Sequence, residues 1–224
     1  MKKAMKKGLA LVLSALMCVG ILTSCGTFSA GDLVQGNLDL IYLNKYSDDY
    51  LKKVNLTKEE ADAQYEQGID VEVDFFCDYF SIVEESCDES IHQQIVDLYH
   101  TTYQNAKYEV GGVSKNGDTY LVELTVYPID TIHKVMTEDT EAFSAAWAER
   151  ISSGEFEGLS DGDPELETAW AQAVIDMVSA RAATVGYGDP QTISVQVVNG
   201  DNGYVIDDKD FGRIDALMID YSAE

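Results

Sequence analysis

The feature that most limits what this chain can fold into is a hydrophobic period that changes repeatedly along it. From Thr57 onward, Ala61, Tyr65, Ile69, Val73, Phe76 and Phe80 recur every three or four positions, the spacing of one helix face. This predicts a helix over about 57–82, opened by Thr57 and Glu60 as a capping box in which each side chain satisfies a backbone N–H left free by the first turn. The same period runs through Val34, Leu38, Ile41 and Tyr42 in a helix over 31–44, and briefly through Tyr50, Leu51 and Val54. It returns in Ile91, Ile95, Leu98, Thr102 and Ala106 behind a cap at Asp88 or Ser90. At Lys107 the period falls to two. Tyr108 and Val110, then Tyr120, Val122, Leu124 and Val126, predict two strands joined at Asn116-Gly117, and Pro128 ends the second. Helical spacing resumes around Phe143, Ala146, Trp147 and Ile151 (138–152) and again behind Asp163-Pro164, with Leu166, Trp170, Ala173, Val174, Met177 and Val178 on one face and Gly186 as the cap beyond its end. A second hairpin follows: Ile193, Val195 and Val197, a turn through 199–203, then Tyr204 to Ile206. Asp207 or Asp208 caps a terminal helix bearing Phe211, Ile214, Leu217, Met218 and Tyr221. Two hairpins separated by helices make the fold class α+β, with four antiparallel strands in one sheet whose apolar face the helices cover.

The N-terminus has three parts: Lys2, Lys3, Lys6 and Lys7, then an apolar run from Gly8 to Leu22, then small residues before Cys25. The run is shorter than the roughly 20 residues that a bilayer-spanning helix needs. Leu22-Thr23-Ser24-Cys25 resembles the lipobox of bacterial lipoproteins. That resemblance implies cleavage before Cys25 and a diacylglyceryl thioether on its sulfur, and acyl chains of this kind hold a protein stably at a membrane. The alternatives are an ordinary secreted protein or an uncleaved anchor. On this view residues 1–24 are a signal peptide, 25–30 a lipidated linker reaching at most about 20 Å, and 31–224 a single extracytoplasmic domain. Aspartate and glutamate number 40 against 15 lysines and arginines, a formal charge of −25. Such a surface repels phosphate backbones, so nucleic-acid binding is excluded. The expected location is the outer face of the cell membrane.

Of four cysteines, Cys18 leaves with the signal peptide and Cys25 carries the lipid. Cys77 and Cys87 remain, and in an exported chain this pair is a candidate disulfide, with two free thiols as the alternative. Catalytic signatures are absent: there is no Gly-x-Ser-x-Gly elbow, no Ser-x-x-Lys, and no His-Glu-x-x-His. His92, His100 and His133 lack zinc-ligand spacing and read as surface histidines. The acidic run Asp161 to Glu167 suits calcium in composition, but Leu166 occupies the EF-hand glycine position and Gln172 the place of its final glutamate. Thirteen tyrosines could line a cleft, but Tyr65, Tyr99 and Tyr120 fall on inward-facing stripes.

The lipobox, Thr57-Lys58-Glu59-Glu60-Ala61, the passage from Tyr99 to Val110 and the ending from Asp210-Phe211 to Tyr221 resemble a group of uncharacterised lipoproteins from Gram-positive anaerobes. The order of helices and hairpins resembles, in architecture alone, the cystatin-like and NTF2-like folds, which implies a concave sheet face. The function expected is a non-enzymatic envelope module that binds a small ligand or a protein in that concavity, with no cofactor apart from the lipid on Cys25. Two rivals are a cell-envelope hydrolase whose acid and base are two of the many carboxylates, and a structural or sensor subunit.

Overall fold

A computed structural model describes residues 28–200 and 203–223. The order is α1 (Ala30–Leu43), α2 (Asp48–Val54), α3 (Lys58–Phe80), a 3₁₀ turn (Glu84–Ser86), α4 (Ser90–Tyr103), β1 (Lys107–Asn116), β2 (Thr119–Tyr127), α5 (Thr131–Lys134), a π turn (Val135–Asp139), α6 (Thr140–Ser152), α7 (Pro164–Ala182), β3 (Gln191–Gly200), β4 (Gly203–Ile206) and α8 (Asp208–Met218). The α+β class and the two antiparallel hairpins are as expected. The strands lie in the order β1-β2-β3-β4, and β2 meets β3 antiparallel from Tyr120↔Val197 to Val126↔Gln191.

Local chemistry sets most boundaries. Thr57 and Glu60 form the capping box, with Thr57 N–H donating to Glu60 Oε2 at 2.8 Å and Glu60 N–H to Thr57 Oγ1 at 3.2 Å. The Asn116-Gly117 turn joins β1 to β2 with Gly117 at φ 63°, where glycine has no steric penalty. A bulge between Val110 and Val113, at the Gly111-Gly112 pair, breaks the ladder of the edge strand β1. Asp163 accepts from the Glu165 N–H at the head of α7 and Asp207 from Lys209 N–H at the head of α8.

Alternation places Val122, Leu124, Val126, Val195 and Val197, all fully buried, on one sheet face. Glu123, Ser194 and Gln196 face outward. Helices α1 and α8 lie directly on the apolar face, and α3 packs on α1, with α4 and α7 continuing that outer layer. Because α1 sits between sheet and helices, it buries apolar residues around much of its circumference, including Leu33, Val34, Leu38, Leu40 and Tyr42. Gly36 permits its approach to α2: a Cβ there would fall 2.1 Å from the Tyr50 ring.

Three expectations are corrected. The sheet's inner face is not an open concavity, since the side chains of α1 and α8 fill it. Gly186 does not cap α7, which ends at Ala182 with Ala183 as a right-handed C-cap. Instead Gly186 lies against the Lys134–Asp130 ion pair, where a Cβ would come within 2.6–2.8 Å of both side chains. Finally, Tyr221 is not on α8. After Met218 the chain turns extended, and Ile219 bridges Ile129 in parallel.

Candidate binding groove and the buried acid–tyrosine network

Helix α6 buries none of its residues. It nonetheless carries Phe143, Trp147 and Ile151 on one side and Ala142, Ala145, Ala146 and Ala148 exposed around the rest. Its attachment to α7 is aromatic: Trp147 and Phe143 meet Trp170 edge-on, with ring centroids 5.2 and 5.4 Å apart. Trp170 is fixed in turn by Nε1–H donating to the Phe80 carbonyl at 3.1 Å, at the end of α3. Between these elements runs a groove of about 380 Å³ whose walls include Tyr79, Phe80, Met136, Trp147, Trp170 and Met177. Ile151 stands at its edge, 54% exposed. A helix with no buried residue and half-exposed tryptophans is an incomplete apolar surface rather than a finished core.

The elements that build the groove are rich in acidic residues. Residues 138–167 hold ten carboxylates and a single cation, Arg150, which is clamped by Glu155 at 2.6 Å and lies over the Trp147 and Phe156 rings. On the α3 side, a cavity of about 570 Å³ is lined by Asp74, Cys77, Asp78, Ile82, Glu84 and Glu85. Burial, then Glu84, Asp78 and Asp70, push the Asp74 carboxyl above its ordinary range. On the α7 side, a cavity of about 730 Å³ holds Asp88, Glu165 and Asp176 beside Arg150. No lysine or arginine occurs between Lys58 and Lys107.

A second constellation lies inside the helical layers. Glu72 of α3, 3% exposed, accepts from Tyr103 Oη at 2.7 Å and Tyr221 Oη at 3.1 Å, and Tyr221 Oη is 2.7 Å from Tyr99 Oη. Asp215 of α8, 9% exposed, accepts from Tyr42 Oη at 3.2 Å, and the Tyr42 ring meets Tyr103 edge-on. Burial raises both carboxyls; for Asp215 the charge of Glu72 raises it further, outweighing the Tyr42 hydrogen bond. The four phenols are driven up as well, first by burial and then by the neighbouring carboxylates. Raised carboxyls are what an acid catalyst requires. Here, however, Tyr103 and Tyr221 occupy Glu72, and neither Glu72 nor Asp215 lines any of the three cavities described above. The cluster holds helices α1, α3, α4 and α8 and the C-terminal tail together.

The other residues singled out by sequence fall as follows. Cys25 lies outside the described residues. Cys77 and Cys87, the candidate disulfide, are free thiols in the structure, Cys77 against Glu84 and Cys87 against the Val83 carbonyl. Burial, followed by Glu84, pushes the Cys77 thiol up to about 12. His92 Nδ1 lies 2.8 Å from Glu84, His100 Nε2 3.1 Å from Glu66, and His133 Nδ1 3.0 Å from Ser222 Oγ. In the 161–167 loop, Asp163 is the cap of α7 and Glu167 accepts from the Gly162 N–H at 3.0 Å. Among the described residues, no group of three or more His, Cys, Asp or Glu could hold a metal ion.

No family model matches the chain, and no curated protein matches it. A solved structure does: a candidate lipoprotein (ycdA) from Bacillus subtilis, 15% identical, with a TM-score of 0.57 over 85% of this chain. The match spans 55% of that protein, so this chain corresponds to about half of it. At this identity the likeness concerns the fold.

Proposed function

We propose that the chain is an extracytoplasmic lipoprotein, tethered through an acylated Cys25, whose folded part binds a partner and performs no catalysis. The aromatic groove between α6 and α7 carries the binding half of this reading: it is an apolar surface, left uncovered, on a chain of formal charge −25. The anchoring half rests on the basic and apolar leader that ends in Leu22-Thr23-Ser24-Cys25, and the fold it shares with a candidate lipoprotein agrees with it. Among the described residues no helix is long and apolar enough to cross a membrane, so the leader is where attachment is sought.

Placement of the groove favours a partner over the bilayer. Phe28, where the linker meets the fold, stacks on Tyr204 and packs against Tyr120, next to the hairpin turns. From Thr119, β2 runs away from that end for about 26 Å at roughly 3.3 Å per residue. The far end is where Ile129 bridges Ile219, and Tyr79 of the groove wall donates to the Tyr221 carbonyl beside it. A short tether at Phe28 therefore turns the hairpin turns toward the membrane and the groove outward.

The test is site-specific photocrosslinking in cells. A photoreactive residue in place of Ile151 is expected to give one constant adduct, and the same residue at Ser194 on the outer sheet face to give none. Equal adduct patterns from both positions would refute the assignment of the groove.

A further inference from the structure

We infer that the α6–α7 groove takes a cationic amphipathic helix from a partner protein or peptide; this rests on the groove being the binding site proposed above and names the chemistry of its ligand. The groove floor is apolar and aromatic, so the ligand must present apolar side chains along one face. Acidic residues cluster on the elements that build the groove: Asp74 and Asp78 on α3 with Glu84 and Glu85 just past its end, and Glu165 and Asp176 on α7 beside Asp88, the two sets meeting through the Glu84–Asp88 segment. Glu141 and Glu149 are exposed on α6 itself. Nearby cations are already engaged, Arg150 by Glu155 and Arg181 by Glu138 and Asp139 at 2.9 and 2.5 Å. A ligand with lysines or arginines flanking its apolar stripe would meet negative charge that, among the described residues, no lysine or arginine pairs.

Helical form follows from shape. Helix α6 spans 13 residues, roughly 20 Å at 1.5 Å per residue, a wall that fits about four turns of a docked helix. A second copy of this chain is a poor occupant, because each copy brings a formal charge of −25 to the contact. The bilayer is another poor occupant, since the groove opens at the end of the sheet away from Phe28 and its flanks repel anionic headgroups.

The experiment uses the full chain, carried in phosphatidylcholine nanodiscs if it purifies with membranes and free in buffer if it purifies soluble. The fractionation step thus reports on the anchor, and the titration reports on the groove. The probe is a 14-residue helical peptide of leucine and lysine at amphipathic spacing, followed by the emission of Trp147 and Trp170. Controls are the same peptide with every lysine replaced by glutamate, and oligolysine without leucine. The lysine–leucine peptide is expected to shift the emission at micromolar concentration and to lose at least tenfold in affinity between 0.05 and 0.5 M salt, following about one counterion-screened contact per flanking carboxylate engaged. Ile151→Asp, at an exposed position that the fold does not depend on, is expected to weaken it at least tenfold, and Glu141→Gln with Glu149→Gln at least threefold. Equal binding of the lysine and glutamate peptides, oligolysine binding as well as the amphipathic peptide, or an Ile151→Asp chain that binds like the parent would each overturn the inference.

Discussion

Glu72 and Asp215 make stability depend on pH in a direction opposite to that of most carboxylates. Both titrate above their ordinary range, first because burial penalises the charged form and, for Asp215, then because Glu72 is a neighbouring charge. Their phenolic donors pull the other way without winning. A carboxyl raised in this way keeps its proton in the native state at pH values where the unfolded chain has lost it. The native state then binds more protons, so stability is fully present below the ordinary carboxylate range near 4 and declines as pH rises through the raised native values. No lysine or arginine is paired with either group among the described residues, so the two cannot both ionise cheaply and the native state retains about one extra proton. One retained proton corresponds to about 1.4 kcal/mol of stability lost per pH unit. The perturbation is the double change Glu72→Gln with Asp215→Asn, which keeps the shapes and removes the titration. Urea unfolding followed by tryptophan emission, at half-unit steps from pH 5 to 8, gives both curves. The parent is expected to lose stability with rising pH more steeply than the double variant, by up to about 1.4 kcal/mol per pH unit for the one retained proton. Parallel curves would refute the reasoning, because the remaining carboxylates and histidines are common to both chains.

Other outcomes follow from the same packing. Tyr103→Phe removes the donor to Glu72 Oε1 and is expected to lower urea-measured stability by about 2 kcal/mol, as for a hydrogen bond to a buried charged group. Gly186→Ala puts a methyl group into the Lys134–Asp130 pair and is expected to cost about 1–3 kcal/mol in the same assay. Alkylation at pH 8 should leave Cys77 unmodified while the chain is folded and label both Cys77 and Cys87 once it is unfolded without reductant; failure of both to label after unfolding would show a disulfide.

Most of the fold can be read from period and caps. The switches at Lys107 and Ile193, the capping box at Thr57 and the Asp163-Pro164 start all lie within a few residues of the observed boundaries. These signals are local, set by backbone N–H groups and side chains a turn away, which is why a single sequence carries them. The α5 helix and π turn over 131–139 were not legible, because Ile132 and Val135 are their only buried apolar residues and no cap residue hydrogen-bonds at their start. That helices cover the sheet's apolar face was legible, but that they leave no open concavity was not, for another reason. Whether a concave face is open depends on which helix lies across it, and the apolar stripe of α1 does not say that it packs on strands rather than on other helices.

The acid–tyrosine network did leave a trace. Glu72 falls between Ile69 and Phe76 on the apolar stripe of α3, and Asp215 between Phe211 and Met218 on that of α8. A carboxylate at a core position of a helical repeat is the sign of a buried polar cluster. Their partners, on α1, α4 and the tail, come from as far as 173 residues away and are brought to them only by the tertiary fold. The groove had a fainter sign: α6 carries Phe143, Trp147 and Ile151 at helical spacing yet is otherwise alanine-rich, Ala142, Ala145, Ala146 and Ala148 taking places where a surface helix usually has polar residues.

Acylation of Cys25 is tested most directly by growing cells with a clickable palmitate analogue and recovering the chain. The parent is expected to carry the label and to sediment with membranes, and Cys25→Ala to carry none. An unlabelled parent recovered from the soluble fraction would contradict the tethered module on which the orientation of the groove depends.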